Sequence, residues 1–531
     1  MTHGAIAASD PQTAAAGAHM LQLGGSAVDA AVAAAFASFV AEASLVNIGG
    51  GGIATLVDSQ SGAAEVYDFF STMPAGPLRE DADFRQVLID FGATQQPFYI
   101  GRASVAVPGV VAGLCQLAAE RGTLPLSTLL GPAIDLARHG AIWSKQLIYA
   151  YSLLQPILCD TPELQQIFKP DGRLFTEGER IRFPQLADTL ARLGQEGAAL
   201  FYKGAIAEAI VADQAAHGGL VTLHDLETYE VHKLEPIRLP YRDCTVLLPP
   251  PSSVGGLLIA FALSLLADYD VAELAHNSAS HLHLLAEVMR LTNIARQQWN
   301  PNPLAGADEL QQQVTWFLSA EHLHPYQTQL RQTLSGVAPL PDGPAAKGPN
   351  DTTHISVADA DGRLVSITTS AGEYAGFVVG NTGVCLNNML GELDLHPNGF
   401  HRLPPGARLT TMMTPTVVLR HGAPVCTLGS GGSSRIRSAI LQTLSNVIDF
   451  RWPIDQAVNA PRAHFEAGLL QLEGGIPRAT ADALTQMGYQ TNLWPAQNMY
   501  FGGAHCVAFQ NGEMIPAGDA RRGGSVVQVA R

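Results

Sequence analysis

The run Thr352–Ser370, TTHISVADADGRLVSITTS, decides how this chain is read. Its residues 354–369 alternate on either side of an Asp-x-Asp-Gly turn, the pattern of two strands joined as a hairpin. Before it stand Asp351 and the stretch TLSGVAPLPDGPAAKGPN, residues 333–350, whose Pro, Gly and Ala content predicts an exposed, flexible connector. A hydroxyl residue at the head of a strand, just past such a connector, fits two readings. One is a capped turn entering the strand. The other is an N-terminal nucleophile. A threonine hydroxyl needs an adjacent base, and cleavage of the Asp351–Thr352 bond would free an α-amine with a reference pKa of about 7.7–8.0 on the same residue. While the chain is intact that nitrogen is an amide and has no such use.

Outward from the hairpin, helices and strands alternate. On the C-terminal side the spacing predicts strands at 376–386, 415–420, 424–428, 468–472 and 504–508, and helices near 435–448, 453–459 and 478–487. On the N-terminal side, Asp10-Pro11 opens a helix that stops at Gly24-Gly25. A second helix, about 26–41, is apolar all round except for Asp29, which places it inside the molecule. IATLVD and AAEVYDF around SQSG read as another hairpin. The region 105–330 is mostly helical, with periodic segments at 127–138, 187–194, 205–214 and 281–296 and a strand-like stretch at 245–256. The sum is sheets covered by helices, with a flexible seam near residue 350.

Composition narrows the function. The chain has 531 residues, enough for a large core and more than one ordinary domain. Its 31 Lys and Arg stand against 47 Asp and Glu, a formal charge of −16, so no long-range basic field exists for nucleic acid or an anionic membrane surface. Cys115, Cys159, Cys244, Cys385, Cys426 and Cys506 are scattered without a C-x-x-C, which argues against a disulfide framework or structural zinc. No apolar run reaches the roughly 20 residues of a membrane helix, and the first residues lack the pattern of a secretory signal. The expectation is a soluble, cytoplasmic protein.

The hairpin sequence TTHISVADADGRLVSITTS closely resembles the start of the small subunit in the γ-glutamyltransferase family of N-terminal nucleophile hydrolases. The resemblance spans nearly the whole chain: ASDPQTAAAGAHMLQLGGSAVDAAVAAA followed by IGGGGIATL, then VPGVVAGL (107–114), FYKGAIAEAI (201–210), GGLVTLHDLETY (218–229), PPPSSVGG (249–256), GVCLNN (383–388), GSGGSSRI (429–436) and NAPR (459–462). It implies an α+β fold, a four-layered αββα sandwich. It also implies a precursor that cuts itself into a large subunit, 1–351, and a small subunit, 352–531. The two would stay together as a heterodimer, with further dimerisation open.

By the same resemblance Thr352 matches the nucleophile and Ser370 a hydroxyl partner of it. Gly432 and Ser433 match the pair whose backbone N–H groups stabilise the oxyanion, donors commonly worth about 3–4 kcal/mol each. Asn387 matches an Asn of the pocket wall, and Arg435 an Arg just beyond the oxyanion loop. No metal or organic cofactor is implied.

The departures bear on substrate. The family's Arg for the substrate's distal carboxylate is replaced by Phe70, in Asp68-Phe69-Phe70. An acidic pair that holds the α-amine is reduced to Glu392, a Ser-Ser pair becomes Thr410-Thr411, and an Asn becomes Gly372. Losing a bidentate Arg is costly for a planar carboxylate, so the expected substrate is a small amide with a compact acyl group. The pattern is similar to a branch of the family that hydrolyses oxamate to oxalate and ammonia in purine-ring catabolism. Tyr374, Thr410, Thr411 and Arg435 are then candidate carboxylate contacts, with Phe70 an apolar wall. Two alternatives stand beside it: a γ-glutamyltransferase or glutathione hydrolase, and an uncleaved pseudoenzyme acting as a binding protein.

Other motifs favour plain structural roles. Gly49–Gly52 lacks the residues of a phosphate loop and reads as tight packing. His281/His283 and His322/His324 fall two apart on helical stretches, where side chains diverge. Ser252 and Ser253 shape a loop, and Asp519 fits either a structural salt bridge, the favoured reading, or a solvated carboxylate.

Overall fold

Alternating side chains along Thr353–Asp359 and Arg363–Ser370 pair the two strands antiparallel, from Thr353 opposite Thr369 to Ala358 opposite Leu364. The structure is a computed structural model that describes residues 2–90, 95–336, 352–396 and 399–530. Every residue of the first strand is buried, because it is covered on both faces.

The hairpin sits in the middle of a seven-stranded antiparallel sheet. Its order is Ser525–Ala530, Thr2–Ala8, Thr353–Asp359, Arg363–Ser370, Gly51–Asp58, Ala63–Phe69 and His232–Leu234. A six-stranded antiparallel sheet runs Glu513–Ala517, Gly503–Gln510, Ala423–Gly431, Thr416–Arg420, Cys244–Leu248 and Ile237–Tyr241. Strand Thr353–Asp359 packs on Ala423–Gly431 and Gly503–Gln510, which sets the sheets face to face.

Helices close both outer faces. Ala27–Ala41 is buried along its whole length against the hairpin strands, with Pro11–Gln22 and Leu126–His139 packed beside it. Ser26 and Asp29 cap its start reciprocally. On the other side Val254–Leu266 and Ala279–Arg296 pack together, and Arg435–Ile448 lies against the strand Ala423–Gly431 that leads into it. The result is four layers, αββα, as the resemblance implies. Residues on either side of position 351 contribute strands to both sheets, so the two halves interlock.

Most expected elements form, with differences at the ends. The stretch 245–256 is strand only over Cys244–Leu248, since Pro249–Pro251 cannot donate to a ladder, and Val254 already begins a helix. Expected strand 376–386 is reduced to Val378–Val379 and Val384–Cys385 around glycines of positive φ. The connector 333–350 starts inside helix Ala320–Leu334, and its residues 337–350 lie outside the described ones. All six cysteines are free. Among the described residues no helix is long and apolar enough to cross a membrane.

Candidate active site

Thr352 stands at the head of the central strand and lines a recess between the six-stranded sheet's helical side and the loops around it. Continuing the hairpin register by one step sets it opposite Ser370, which lines the same recess. The strand Ala423–Gly431 ends against it: a Cβ at Gly431 would lie 2.3 Å from the Thr352 carbonyl oxygen, so the chains meet there without side chains between. The Arg522 guanidinium reaches that same carbonyl at 3.5 Å.

Past Gly431 the backbone turns sharply. Gly432 has φ +120° and Ser433 φ +52°, a left-handed conformation unusual for a residue with a Cβ. Arg435 N–H and Ile436 N–H then close the first turn of Arg435–Ile448 on the carbonyls of Gly432 and Ser433. The turn therefore lies at the positive end of a 14-residue helix. Ser433 and Ser434 line the recess beside Thr352. Backbone strain of this sort persists where surrounding structure enforces it. Here Ser434 Oγ donates to Glu466 at 3.0 Å, and His464 lies 3.4 Å from the same carboxylate. Burial works against ionisation of Glu466, yet His464, Arg437 and Arg435 hold its carboxyl down at about 2.

Behind the nucleophile is a buried polar layer. Thr353 Oγ1 donates to Glu42 at 2.7 Å, Thr13 Oγ1 donates to the other carboxylate oxygen at 2.7 Å, and Ser9 Oγ bridges Thr353 and His505. Burial, together with nearby Asp10, pushes Glu42 up to about 7 against the pull of those hydroxyls and Arg522. His354 bonds Thr368 and Ser356, and burial, with His505 beside it, keeps its ring well below the usual histidine range. It is a structural imidazole.

The recess gathers Thr352, Ser370, Ser433, Phe70, Thr410 and Thr411 of the residues singled out in the sequence, with Gly432 adjoining. Asn387, Tyr374 and Arg435 stand apart from it. The Asn387 amide donates to the carbonyls of Gly49 and Ala106, tying two loops together. Tyr374 sends its hydroxyl to the Ala43 carbonyl, in the helical layer beneath the first sheet. Arg435 stacks on Tyr500 and bonds its carbonyl at 3.3 Å. Glu392 is buried beside Gly372, where a Cβ would come within 2.1 Å of Asn388 Oδ1, so Asn388 fills the space beside this glycine. Asp351 lies outside the described residues.

Arg296 was not singled out. It closes helix Ala279–Arg296 and is the one charged side chain lining the recess among the described residues. Met389, Leu395, Met412, Met413 and Ile436 supply the apolar wall. A helix-ending arginine carries no local motif, so nothing short of the tertiary arrangement could mark it.

The remaining motifs are structural. A Cβ at Gly49 or Gly50 would lie 2.4 Å or 2.3 Å from the carbonyls of Cys385 or Ser370, which accounts for the glycine run as close packing. His281 and His283 turn to different partners, the Asn277 N–H and the Tyr489 hydroxyl. Ser252 donates to Asp68 and Ser253 caps a helix. Asp519 pairs with Arg462 and Arg521.

Comparison with known proteins agrees with this geometry. The gamma-glutamyltranspeptidase family profile matches residues 13–529. The acylase ACY 1 proenzyme of Pseudomonas sp. (strain V22) is 33% identical over 549 residues, covering 100% of this chain and 94% of that protein. The glutathione hydrolase proenzyme of Pseudomonas sp. (strain A14) is 31% identical over 463 residues, covering 84% and 79%. The crystal structure of cephalosporin acylase from Bacillus halodurans superposes with a TM-score of 0.84 at 26% identity, covering 99% of this chain and 96% of that one.

Proposed function

The chain belongs to the gamma-glutamyltranspeptidase family of N-terminal nucleophile hydrolases, and from that premise we propose that it is a self-maturing acylase with Thr352 as its nucleophile. The observation that carries the reading is the meeting of Thr352, Ser370 and the Gly432–Ser433 turn at one recess.

In maturation the Thr352 hydroxyl adds to the Asp351 carbonyl carbon and the peptide C–N bond breaks. Water then hydrolyses the resulting ester, leaving an Asp351 carboxylate and a free Thr352 α-amine. In turnover that amine takes the hydroxyl proton while Oγ adds to the substrate's amide carbon. The N–H groups of the Gly432–Ser433 turn, at the helix's positive end, receive the oxyanion. The proton passes to the leaving nitrogen as the C–N bond breaks, and water releases the acyl group from Thr352. The interlocked sheets hold the two subunits together after cleavage.

For the substrate, the relatives named as an acylase and as a glutathione hydrolase support amide hydrolysis, the second of them of glutathione. Oxamate, the reading taken from the resemblance and from the departures at Phe70, Glu392 and Gly372, is the shortest member of the class. A γ-glutamyl substrate is the second reading, favoured by Glu392 beside Gly372 and by the paired hydroxyls of Thr410 and Thr411.

The test is a denaturing gel with turnover assays of oxamate, a γ-glutamyl anilide and a glutaryl anilide. Wild type should give two fragments and turnover of at least one of the three amides. Thr352→Ala should give one band and no turnover, and Thr352→Ser partial processing. An uncut yet active Thr352→Ala protein would refute the mechanism.

A further inference from the structure

We propose that Ser9 and His505 are positioning residues for the nucleophile: through a one-way hydrogen-bond chain onto Thr353 they fix the head of the central strand, and with it the aim of the Thr352 hydroxyl. This rests on the reading of Thr352 as the nucleophile. Pairing of the central strand with Arg363–Ser370 begins at Thr353, so this residue is the sheet's last anchor before Thr352. Successive side chains of a strand leave on opposite faces. Thr352 lines the recess, and Thr353 turns to the polar layer behind it, where Ser9 and Glu42 meet its hydroxyl.

The direction of the chain follows from its two ends. A backbone N–H can only donate, and that of Asp519 meets His505 Nδ1 at 3.3 Å. Burial keeps the His505 ring neutral, pushing it down to about 4, so its single proton sits on Nε2. Nε2–H then donates to Ser9 Oγ at 3.1 Å. At the other end Glu42, as a carboxylate, only accepts, and it takes the Thr353 Oγ1 proton at 2.7 Å. Thr353 Oγ1 has only a lone pair left for Ser9, whose hydroxyl donates to it at 3.0 Å. Each hydroxyl gives one proton and takes one, which leaves a single consistent orientation.

The links cross three layers. His505 stands on strand Gly503–Gln510 of the six-stranded sheet, Ser9 follows strand Thr2–Ala8, and Glu42 caps the end of helix Ala27–Ala41. They also span the Asp351–Thr352 bond, since Ser9 and Glu42 precede it and Thr353 and His505 follow it. Glu42, Thr353 and His505 are buried, where hydrogen bonds in series strengthen one another. A β-branched side chain is stiff at χ1, and bonds fixed at both its donor and its acceptor side leave Thr353 one rotamer. The residue beside it is then held to the tolerance that acyl transfer needs, since a misplacement of about 1 Å costs on the order of 100-fold. The structural alternative is that the chain only stabilises the fold.

The experiment compares the wild-type protein with Ser9→Ala, Ser9→Thr and His505→Gln at about pH 8, where Glu42 is ionised. Self-cleavage is timed on a denaturing gel, and kcat and KM are measured on whichever of oxamate, the γ-glutamyl anilide and the glutaryl anilide the wild type turns over. Ser9→Ala breaks the chain at its middle and should slow both self-cleavage and kcat by about 10- to 100-fold, with KM within about threefold of wild type. Ser9→Thr restores the hydroxyl and should recover most of both rates, because Ser9 borders a recess with room beside it. His505→Gln offers an amide N–H in place of Nε2–H and should fall between. Wild-type rates in Ser9→Ala, a loss confined to KM, or a loss that Ser9→Thr does not repair in a protein with a wild-type urea midpoint would each overturn the proposal. A turnover-independent arm tests the chain itself: heteronuclear NMR of histidine-labelled protein should show His505 protonated at Nε2 alone, and a proton at Nδ1 would overturn it. A wild type that neither cuts itself nor turns over any amide, yet shows the Nε2–H ring, would reject the nucleophile reading and the positioning role with it, leaving only the chain.

Discussion

The residue that follows the nucleophile is tied to a buried acid: Thr353 Oγ1 donates to the Glu42 carboxylate at 2.7 Å, across the interface between the central strand and the helix Ala27–Ala41. This bond fixes the strand one residue beyond Thr352 and links the two parts of the chain that maturation would separate.

That link makes stability depend on pH. Burial, then Asp10, raises Glu42 to about 7 from the 4.5 of an ordinary glutamate. A group whose folded pKa is raised stabilises the fold fully below the unfolded value and loses that contribution as pH rises through the folded one. Glu42 therefore costs stability between about pH 4.5 and 7, by up to about 3 kcal/mol. Glu42→Gln keeps an acceptor for one threonine and cannot ionise. Urea midpoints at pH 5 and pH 8 should differ less in Glu42→Gln than in wild type, and an unchanged difference would reject Glu42 as the source.

Gly431 gives a sharper prediction, because its lack of a side chain is used at the nucleophile itself. A Cβ there would sit 2.3 Å from the Thr352 carbonyl oxygen and 3.3 Å from the Arg522 guanidinium. Gly431→Ala must push the strand head away from the oxyanion turn. A displacement of about 1 Å is enough to cost on the order of 100-fold in rate. Both maturation on a gel and kcat should fall, while the unfolding midpoint moves by less than it does for a core truncation. Full activity in Gly431→Ala would show that the close approach is not needed.

Much of this was readable in the sequence, and the reason differs by element. The hairpin 354–369 and the helix 26–41 declare themselves by period and by all-round apolarity, since each buries what its pattern says it must. The strands Thr2–Ala8 and Ser525–Ala530 carry no local signal in the sequence, because each is a strand only through pairing with residues far away in the chain. Phe70, Ser370 and Thr410 reach the recess as the resemblance implies, whereas Tyr374 and Asn387 bond backbone carbonyls elsewhere, a matter of local chain path that alignment by motif does not encode. Arg296 entered only with the packing of its helix.

The oxyanion turn should prove sensitive to a residue that never meets substrate. Glu466 accepts from Ser434, next to the strained Ser433, and faces Arg437 at 3.9 Å. Glu466→Gln retains the shape and removes the charge. We expect kcat to fall by about tenfold, near 1.4 kcal/mol of lost transition-state stabilisation, with KM nearly unchanged. A rise in KM at constant kcat would instead place Glu466 in ground-state binding.

The last prediction concerns what holds the C-terminal segment against the site. Asp519 accepts from Arg462 at 2.7 Å, from Arg521 at 3.0 Å and from the Ala504 N–H at 2.8 Å, all in the interior, and Arg521 also pairs with Glu473 at 2.6 Å. Burial opposes the charge on Asp519, but Arg462 and Arg521 outweigh it and hold the carboxyl at about 2. Removing one member of such a cluster leaves uncompensated buried charge, which costs about 3–5 kcal/mol. Asp519→Ala should therefore lose that much in urea unfolding at pH 7, and Asp519→Asn most of it. The sign with pH is opposite to that of Glu42: a depressed pKa gives stability that is present above the unfolded value of 3.8 and is lost as pH falls towards 2. Wild type should lose stability in that acid window more steeply than Asp519→Asn. Because the neighbouring Arg522 reaches the Thr352 carbonyl, the same variants should also slow maturation. An Asp519→Asn protein as stable as wild type at pH 7, and cut as fast, would show that the cluster is neutral to the fold.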